Sequence, residues 1–149
     1  MTTQTRITAA TITDQQIHAL RREAQNAATI CDQVVELWRH PDAWTQHTAA
    51  VDARGCPVMT DNPAARSFCA LGAVLKVTGY ARRKGDALPG ERGPDARHLA
   101  MDTVRNLENA RTRKDYRSVH DVNDYEWTNA TEARDAFRRA ADQLRRIGQ

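Results

Sequence analysis

Apolar residues return every three or four positions along four stretches of the chain, and between them the pattern breaks. In "TDQQIHALRREAQNAATICDQVVELWRH", Ile17, Leu20, Ala24, Ala27, Cys31, Val34, Val35 and Trp38 share one face of a helix of about seven turns. Thr13 or Asp14 can cap it, because their side-chain oxygens accept orphan amide protons, and Pro41 ends it. A second stripe, Ala65, Phe68, Leu71, Gly72, Leu75 and Thr78, predicts a helix that opens at Asn62-Pro63 and runs to about Tyr80, with Gly79 as its stop. A third starts near Pro94 or Asp95, carries Leu99, Thr103 or Val104, Leu107 and Ala110, and fades in "RTRKDYR". The last opens with Asn129 and Glu132 as a capping box, buries Ala133, Phe137, Ala140, Ala141 and Leu144, and stops at Gly148.

The intervening stretches are read by their breakers. Residues 1–12 show no periodicity and are expected to be a flexible arm. Residues 41–61 are irregular, with a short helical turn expected from Trp44 to Val51. The segment 81–97, "ARRKGDALPGERGPDAR", combines three glycines, two prolines and many charges, and reads as a loop. Residues 116–128 read as a connection. No segment alternates at period two for more than four residues. The expectation is an all-α fold: one helical domain over 13–149, a compact bundle of about four main helices, and no sheet of three or more strands.

Composition sharpens this picture. The chain has 149 residues, 40% hydrophobic and 28% charged, which suits a single core of ordinary size. Aromatics are few, so the core must be built largely from Ala, Leu, Val and Ile at close helix spacing. There is no signal-peptide pattern at the start and no apolar run near the roughly 20 residues of a membrane span, so a cytoplasmic protein without a membrane partner is expected. Three cysteines, Cys31, Cys56 and Cys69, are an odd count and are expected to be free thiols.

Charge is uneven. Residues 1–75 carry six Arg and seven acids, and residues 76–149 carry sixteen Lys/Arg and twelve acids. The basic half permits a nucleic-acid partner. Arg134, Arg138 and Arg145 share one face of the last helix and are the candidate contacts, yet interleaved Asp135 and Asp142 dilute them. A solvated face is the favoured reading.

Candidate chemistry centres on two places. Cys69, in "RSFCALGAVL", could act as a thiolate if a base and an orienting group stood beside it, and His120 with Asn123 or Asp124 would supply them. However, Cys69 falls well inside the expected second helix, beside its apolar stripe, and Gly72 suggests a close approach by another helix. Packing is therefore favoured over catalysis. Asn123 and Asp124 read first as an Asx-turn that orients the last helix, and second as a polar cluster with His120 and Trp127 as walls of a small-ligand or peptide pocket. His40, His47 and Cys56 lack metal-ligand spacing, "GERG" is no phosphate cradle, and neither metal nor cofactor is expected.

"CALGAV" at 69–74 and "VNDYEWTNATEARDAFRRAAD" at 122–142 together resemble a family of small uncharacterised helical proteins of actinobacterial and phage genomes. That pattern runs Cys-x-x-Gly-Ala, then Asn-Asp, then a capped helix with Glu and paired alanines. Cys69, Gly72, Ala73, Asn123, Asp124, Glu132, Ala140 and Ala141 match it. Val122 stands where the family often has Trp, and Asn129 where the cap is usually Thr. "ITDQQIHALRREA" at 12–24 is similar to an opening of small phage-encoded proteins. The resemblance spans about residues 28–145 and implies a small accessory protein, with no activity to transfer. The functional expectation is binding, with a protein as partner. The alternatives are a cysteine-dependent hydrolase or transferase using Cys69 and His120, and a weak nucleic-acid binder using the last helix.

Overall fold

A computed structural model describes residues 13–79 and 96–149. The expected arm at 1–12 and the expected loop up to residue 95 lie outside the described residues.

The first helix, α1, spans Asp14–Leu37. Thr13 caps it in a reciprocal box: its hydroxyl accepts the Gln16 backbone amide at 3.2 Å, and the Gln16 side-chain Oε1 accepts the Thr13 backbone amide at 2.8 Å. Its buried stripe is Ala24, Ala27, Ala28, Ile30, Cys31 and Val34. The final helix, α5, spans Ala130–Ile147 and buries Ala130, Ala133, Ala136, Phe137, Ala140, Ala141 and Leu144. Two alanine-rich stripes let the helix axes approach closely, and what they cannot fill is filled by aromatics. Trp38, at the end of α1, meets Phe137 edge-on at 5.2 Å between ring centroids and Trp127 at 6.5 Å. All three rings are buried, and each such edge-to-face pair contributes about 0.5–1.5 kcal/mol beyond area burial. A third long helix, α3, covers Ala96–Thr112 and closes the core with Ala100, Met101 and Val104. The loop expected at 81–97 therefore gives way to helix by Ala96.

Two short helices complete the set, α2 at Ala70–Thr78 and α4 at Val119–Tyr125. Five α-helices are thus present among the described residues, and the expectation of about four main helices is corrected by α4, inside the expected connection. Ser118 caps α4 by accepting the Asp121 amide at 3.2 Å. The helix is too short to show a readable stripe, which is why periodicity misses it.

The second helix is also corrected. It starts at Ala70, not near Pro63. Asn62-Pro63 instead makes an Asx turn, the Asn62 side chain accepting the Ala64 amide at 2.9 Å. Ser67–Phe68 is strand β2, paired antiparallel with β1 at Ala50–Val51 in the register Ala50 to Phe68 and Val51 to Ser67. The Phe68 carbonyl accepts both the buried Trp38 indole N–H at 3.1 Å and the Thr45 amide at 3.2 Å, bonds that a helical Phe68 would forgo. The expected helical turn from Trp44 to Val51 is absent: a 3-10 turn stands before it at Pro41–Ala43, and an irregular, bent strap runs from Trp44 into β1. Among the described residues the sheet has these two strands.

The third stripe is rotated from its expected phase. Leu99 and Leu107 are half-buried, Ala110 is exposed, and Glu108 is fully buried. Glu108 accepts from Arg111 at 3.2 and 2.7 Å, from Arg139 at 2.7 Å and from the Trp127 indole at 3.1 Å. Burial alone would push its carboxyl up; the donors Arg111, Arg139 and Trp127 outweigh that and hold it below the usual glutamate range. A carboxyl lowered in the folded state stabilises the fold fully above its unfolded pKa near 4.5, and that contribution is lost as pH falls through the lower folded value. Glu108→Gln is expected to lower unfolding free energy by about 2 kcal/mol at neutral pH, with the gap to wild type closing below about pH 4. Urea melts of both proteins across that range check it.

Candidate functional site

Two parts of the resemblance, Cys69 to Gly72 and Asn123 to Asp124, meet where the strap crosses α4. Asn123 is fully buried on α4, and its carboxamide is bonded on every side. Its Oδ1 accepts the Trp44 indole N–H at 2.9 Å and the Ala70 amide at 3.0 Å, while its Nδ2 donates to the Thr45 carbonyl at 3.0 Å and to Asp124 Oδ1 at 3.1 Å. One side chain thus joins the strap, the first residue of α2 and α4. Gln46 reaches over the end of α4 and donates to the carbonyls of Asn123, Asp124 and Trp127 at 3.1, 3.3 and 2.8 Å, satisfying acceptors that the helix end leaves open.

Asp124 is the neighbouring node. Its side chain is 4% exposed, and two imidazoles stand over it. His120, one turn earlier on α4, places Nε2 at 3.2 Å from Oδ2, and His47 places Nδ1 at 3.6 Å from the same oxygen. The His47 amide donates to Oδ1 at 2.8 Å. His47 holds φ at +70°, a left-handed conformation uncommon for a residue other than Gly, and the Asp124 bond holds it there. Tyr125 is 70% exposed and packs edge-on against the His47 ring at 6.4 Å. The result is an exposed rim of His47, His120 and Tyr125 on a rigid polar base.

Cys69 sits at the N-terminus of α2 as its N-cap, not within a helix. Its Sγ accepts the Gly72 amide at 3.4 Å, and its own amide donates to the Ala49 carbonyl at 3.2 Å. Burial pushes the thiol up to about 11; the Gly72 and Leu71 amides oppose this and the charge of Asp124 adds to it. Gly72 is approached by the Ala49 carbonyl of the strap, rather than by another helix. A Cβ there would lie 1.8 Å from the Ala49 oxygen.

The side chains of the other candidates lie outside this node. Trp127 is 1% exposed, within the aromatic core, and donates to Glu108. On α5, Arg138 pairs with Asp135 at 3.3 Å, Arg145 pairs with Asp32 and with Asp142 at 3.6 Å, and Arg134 is half-buried. Cys31, Cys56 and Cys69 are free, and only Cys56 of the three is exposed. Among the described residues no three His, Cys, Asp or Glu side chains are placed to hold a metal ion, and no helix is long and apolar enough to cross a membrane. A groove of about 940 Å³ runs elsewhere, along the end of α1, β2 and α2, with Phe68 and Val77 among mixed charges such as Glu36, Asp42, Arg66 and Lys76.

Residues 22–143, from α1 into α5, match a family of unknown function, DUF6197. The chain belongs to the DUF6197 family. The match brings both halves of this node, Cys69 to Gly72 and Asn123 to Asp124, inside the family region, and agrees with the uncharacterised family that the motifs implied. No curated protein and no solved structure matches the chain.

Sequence reasoning singled out Cys69, His120, Asn123 and Asp124, but not Trp44, Gln46 or His47. Those three lie 77 to 81 residues from their partners and have no periodicity to mark them. The node yields a stability prediction for this DUF6197 member. Asn123→Ala leaves the Ala70 amide and the Trp44 indole without their acceptor and is expected to cost about 3 kcal/mol. Gly72→Ala is expected to cost about 2 kcal/mol through overpacking against Ala49. Urea denaturation of the two variants against wild type measures both.

Proposed function

We propose that the protein acts by binding rather than by catalysis, and that a protein partner contacts the rim of His47, His120 and Tyr125. The observation that carries this is the fate of Cys69. Its thiol is buried, protonated at neutral pH and engaged in capping α2, so it is poorly suited to attack a substrate. The same network leaves Asn123 no free valence, since both its oxygen and its nitrogen are committed to backbone and to Trp44 and Asp124. What remains outward is an exposed tyrosine beside two imidazoles, pre-organised by bonds beneath them. Aromatic side chains on a rigid base are the groups that anchor protein interfaces at low entropic cost.

The likeness of the motifs to small actinobacterial and phage proteins supports an accessory role tied to mobile elements. Free cysteines support a reducing, cytoplasmic setting. The arginines of α5 are largely matched by acids, which supports leaving them a solubilising role.

Selection of a random peptide display library on the folded protein tests the reading. Selected peptides are expected to bind in the micromolar range, to lose about tenfold in affinity with Tyr125→Ala or His47→Ala, and to change less than about twofold with Cys69→Ala. Peptides indifferent to Tyr125 would overturn it. In parallel, alkylation near neutral pH is expected to label Cys56 at once, and Cys31 and Cys69 only after denaturation. A fast native reaction at Cys69 would favour the hydrolase or transferase reading instead.

A further inference from the structure

The apolar seam of α1 is longer than the bundle that covers it. Ile17, Leu20, Ala24, Ala27, Cys31 and Val34 follow one another at alternating spacings of three and four, the repeat that keeps one face of a helix against a partner along its whole length. From Ala24 onward the seam is buried, with α5 and α3 packed on α1. Before Ala24 the same face is open: Leu20 is 56% exposed and Ile17 is only half-buried, although both stand in line with the buried alanines. Ile147, on the last turn of α5, is 51% exposed at this same end of the molecule, where the neighbouring Gly148 carbonyl accepts the Gln25 side-chain amide at 2.9 Å. The polar residues beside the open stretch carry a pattern of their own. Asp14 and Arg21 lie two turns apart on one flank, and Gln16 and Glu23 lie two turns apart on the other. Asp14 and Arg21 are exposed, and neither has an ion-pair partner among the described residues. Glu23 is half-buried, and its Oε1 has no hydrogen-bond partner. Gln16 commits its Oε1 to the Thr13 amide, and its Nε2 makes no bond among the described residues.

We propose that this open stretch is an interface with a second copy of the chain, α1 pairing antiparallel with α1 about a twofold axis that passes between His18 and Ala19. In that register the apolar layers meet, Ile17 of each protomer packing on the partner's Leu20. An antiparallel pair sets each flank against the same flank of its partner. Asp14 therefore meets the partner's Arg21, and Arg21 meets the partner's Asp14, which gives two opposite-charge pairs from residues that have none within the monomer. On the other flank Gln16 meets the partner's Glu23, bringing an amide nitrogen without an acceptor to a carboxylate oxygen without a donor. A parallel pairing would instead set Arg21 against the partner's Gln16 and give Glu23 no donor. The contact ends at Ala24, where the molecule's own helices take over the seam, so the interface is small and the dimer weak. It shares no residue with the rim of His47, His120 and Tyr125 and does not rest on what binds there.

The experiment is sedimentation velocity of the full chain at low salt, from about 5 to about 500 µM protein. Wild type is expected to pass from a 16.7 kDa monomer toward a dimer of twice that mass, half-associated at about 50 µM. Leu20→Glu is expected to stay monomeric throughout. Asp14→Arg and Arg21→Asp, each alone, set like charges together twice in every dimer and are expected to weaken association about tenfold. In an equimolar mixture of these two variants every arginine faces an aspartate again, and association is expected to return to within about threefold of wild type. Circular dichroism of each variant confirms that the helices are retained. A wild type that stays monomeric, a dimer that Leu20→Glu leaves intact, or a mixture that associates no better than its components would overturn the proposal. A monomeric wild type whose melting temperature falls with Leu20→Glu would assign the seam to a segment of the same chain.

Discussion

The Asn123 carboxamide holds two partners at its oxygen and two at its nitrogen with no solvent to share. Everything at this end of the molecule is placed relative to it. The strap from Trp44 to Gln46 has no regular structure to fix its path, so the Trp44 indole and the Thr45 carbonyl are located by Asn123 and the chain between follows. The Ala70 amide is one of the open donors at the start of α2, and Asn123 satisfies it from outside the helix, setting where α2 begins. An amide is suited to this because it is both donor and acceptor and carries no charge to desolvate. A carboxylate of the same shape would face the Thr45 carbonyl with a lone pair, and an aliphatic residue would strand the Ala70 amide.

Cys69 and Gly72 serve the same junction from the other side. A thiol is a weak acceptor, but at the start of α2 it has two merits: it tolerates complete burial, and its sulfur reaches the Gly72 amide. Glycine at 72 then lets the Ala49 carbonyl come against the helix backbone, where it also takes the Cys69 amide. Cys-x-x-Gly is thus a spacing set by one helical turn, cap to third residue, and its chemistry is that of a helix start pinned to a strap.

Elsewhere in the core, Glu108 poses the problem of a charge inside a helix bundle. Desolvation opposes its ionisation, and Arg111, Arg139 and the Trp127 indole more than compensate. Because Trp127 also packs on Trp38 and Phe137, the ion cluster fixes the orientation of the aromatic core. The arrangement ties α3 to α5 and to the turn after α4, and so links the bundle to the segment that carries Asn123.

Local pattern in the chain determined the long elements. The stripe from Ala24 to Val34, the Thr13 box and the Asn129 cap are contained within stretches of adjacent residues, where helical periodicity and capping act without help from the rest of the fold; of the expected Asn129–Glu132 box only the Asn129 half forms, the Glu132 carboxylate accepting instead from the Thr128 hydroxyl and the Asn129 side chain. The junction was decided only by tertiary structure. Phe68 and the residues before it follow an apolar pattern compatible with a helix, yet the Trp38 indole and the Thr45 amide draw the Phe68 carbonyl into bonds across the core, and the chain there is strand. Glu108 sits at a position that spacing reads as solvent, and partners 19 and 31 residues away bring it inside. Asn123 and Asp124 stand out in the sequence as residue types, but their roles as joint and as seat for His47 arise from partners 77 to 79 residues distant on an irregular strap, and Cys69 becomes a cap because the chain before it is held by the Ala49 carbonyl rather than continuing as helix. Short-range periodicity carries no information about such contacts, because a hydrogen bond across the core is selected by the geometry of the packed helices and not by the residues on either side of it.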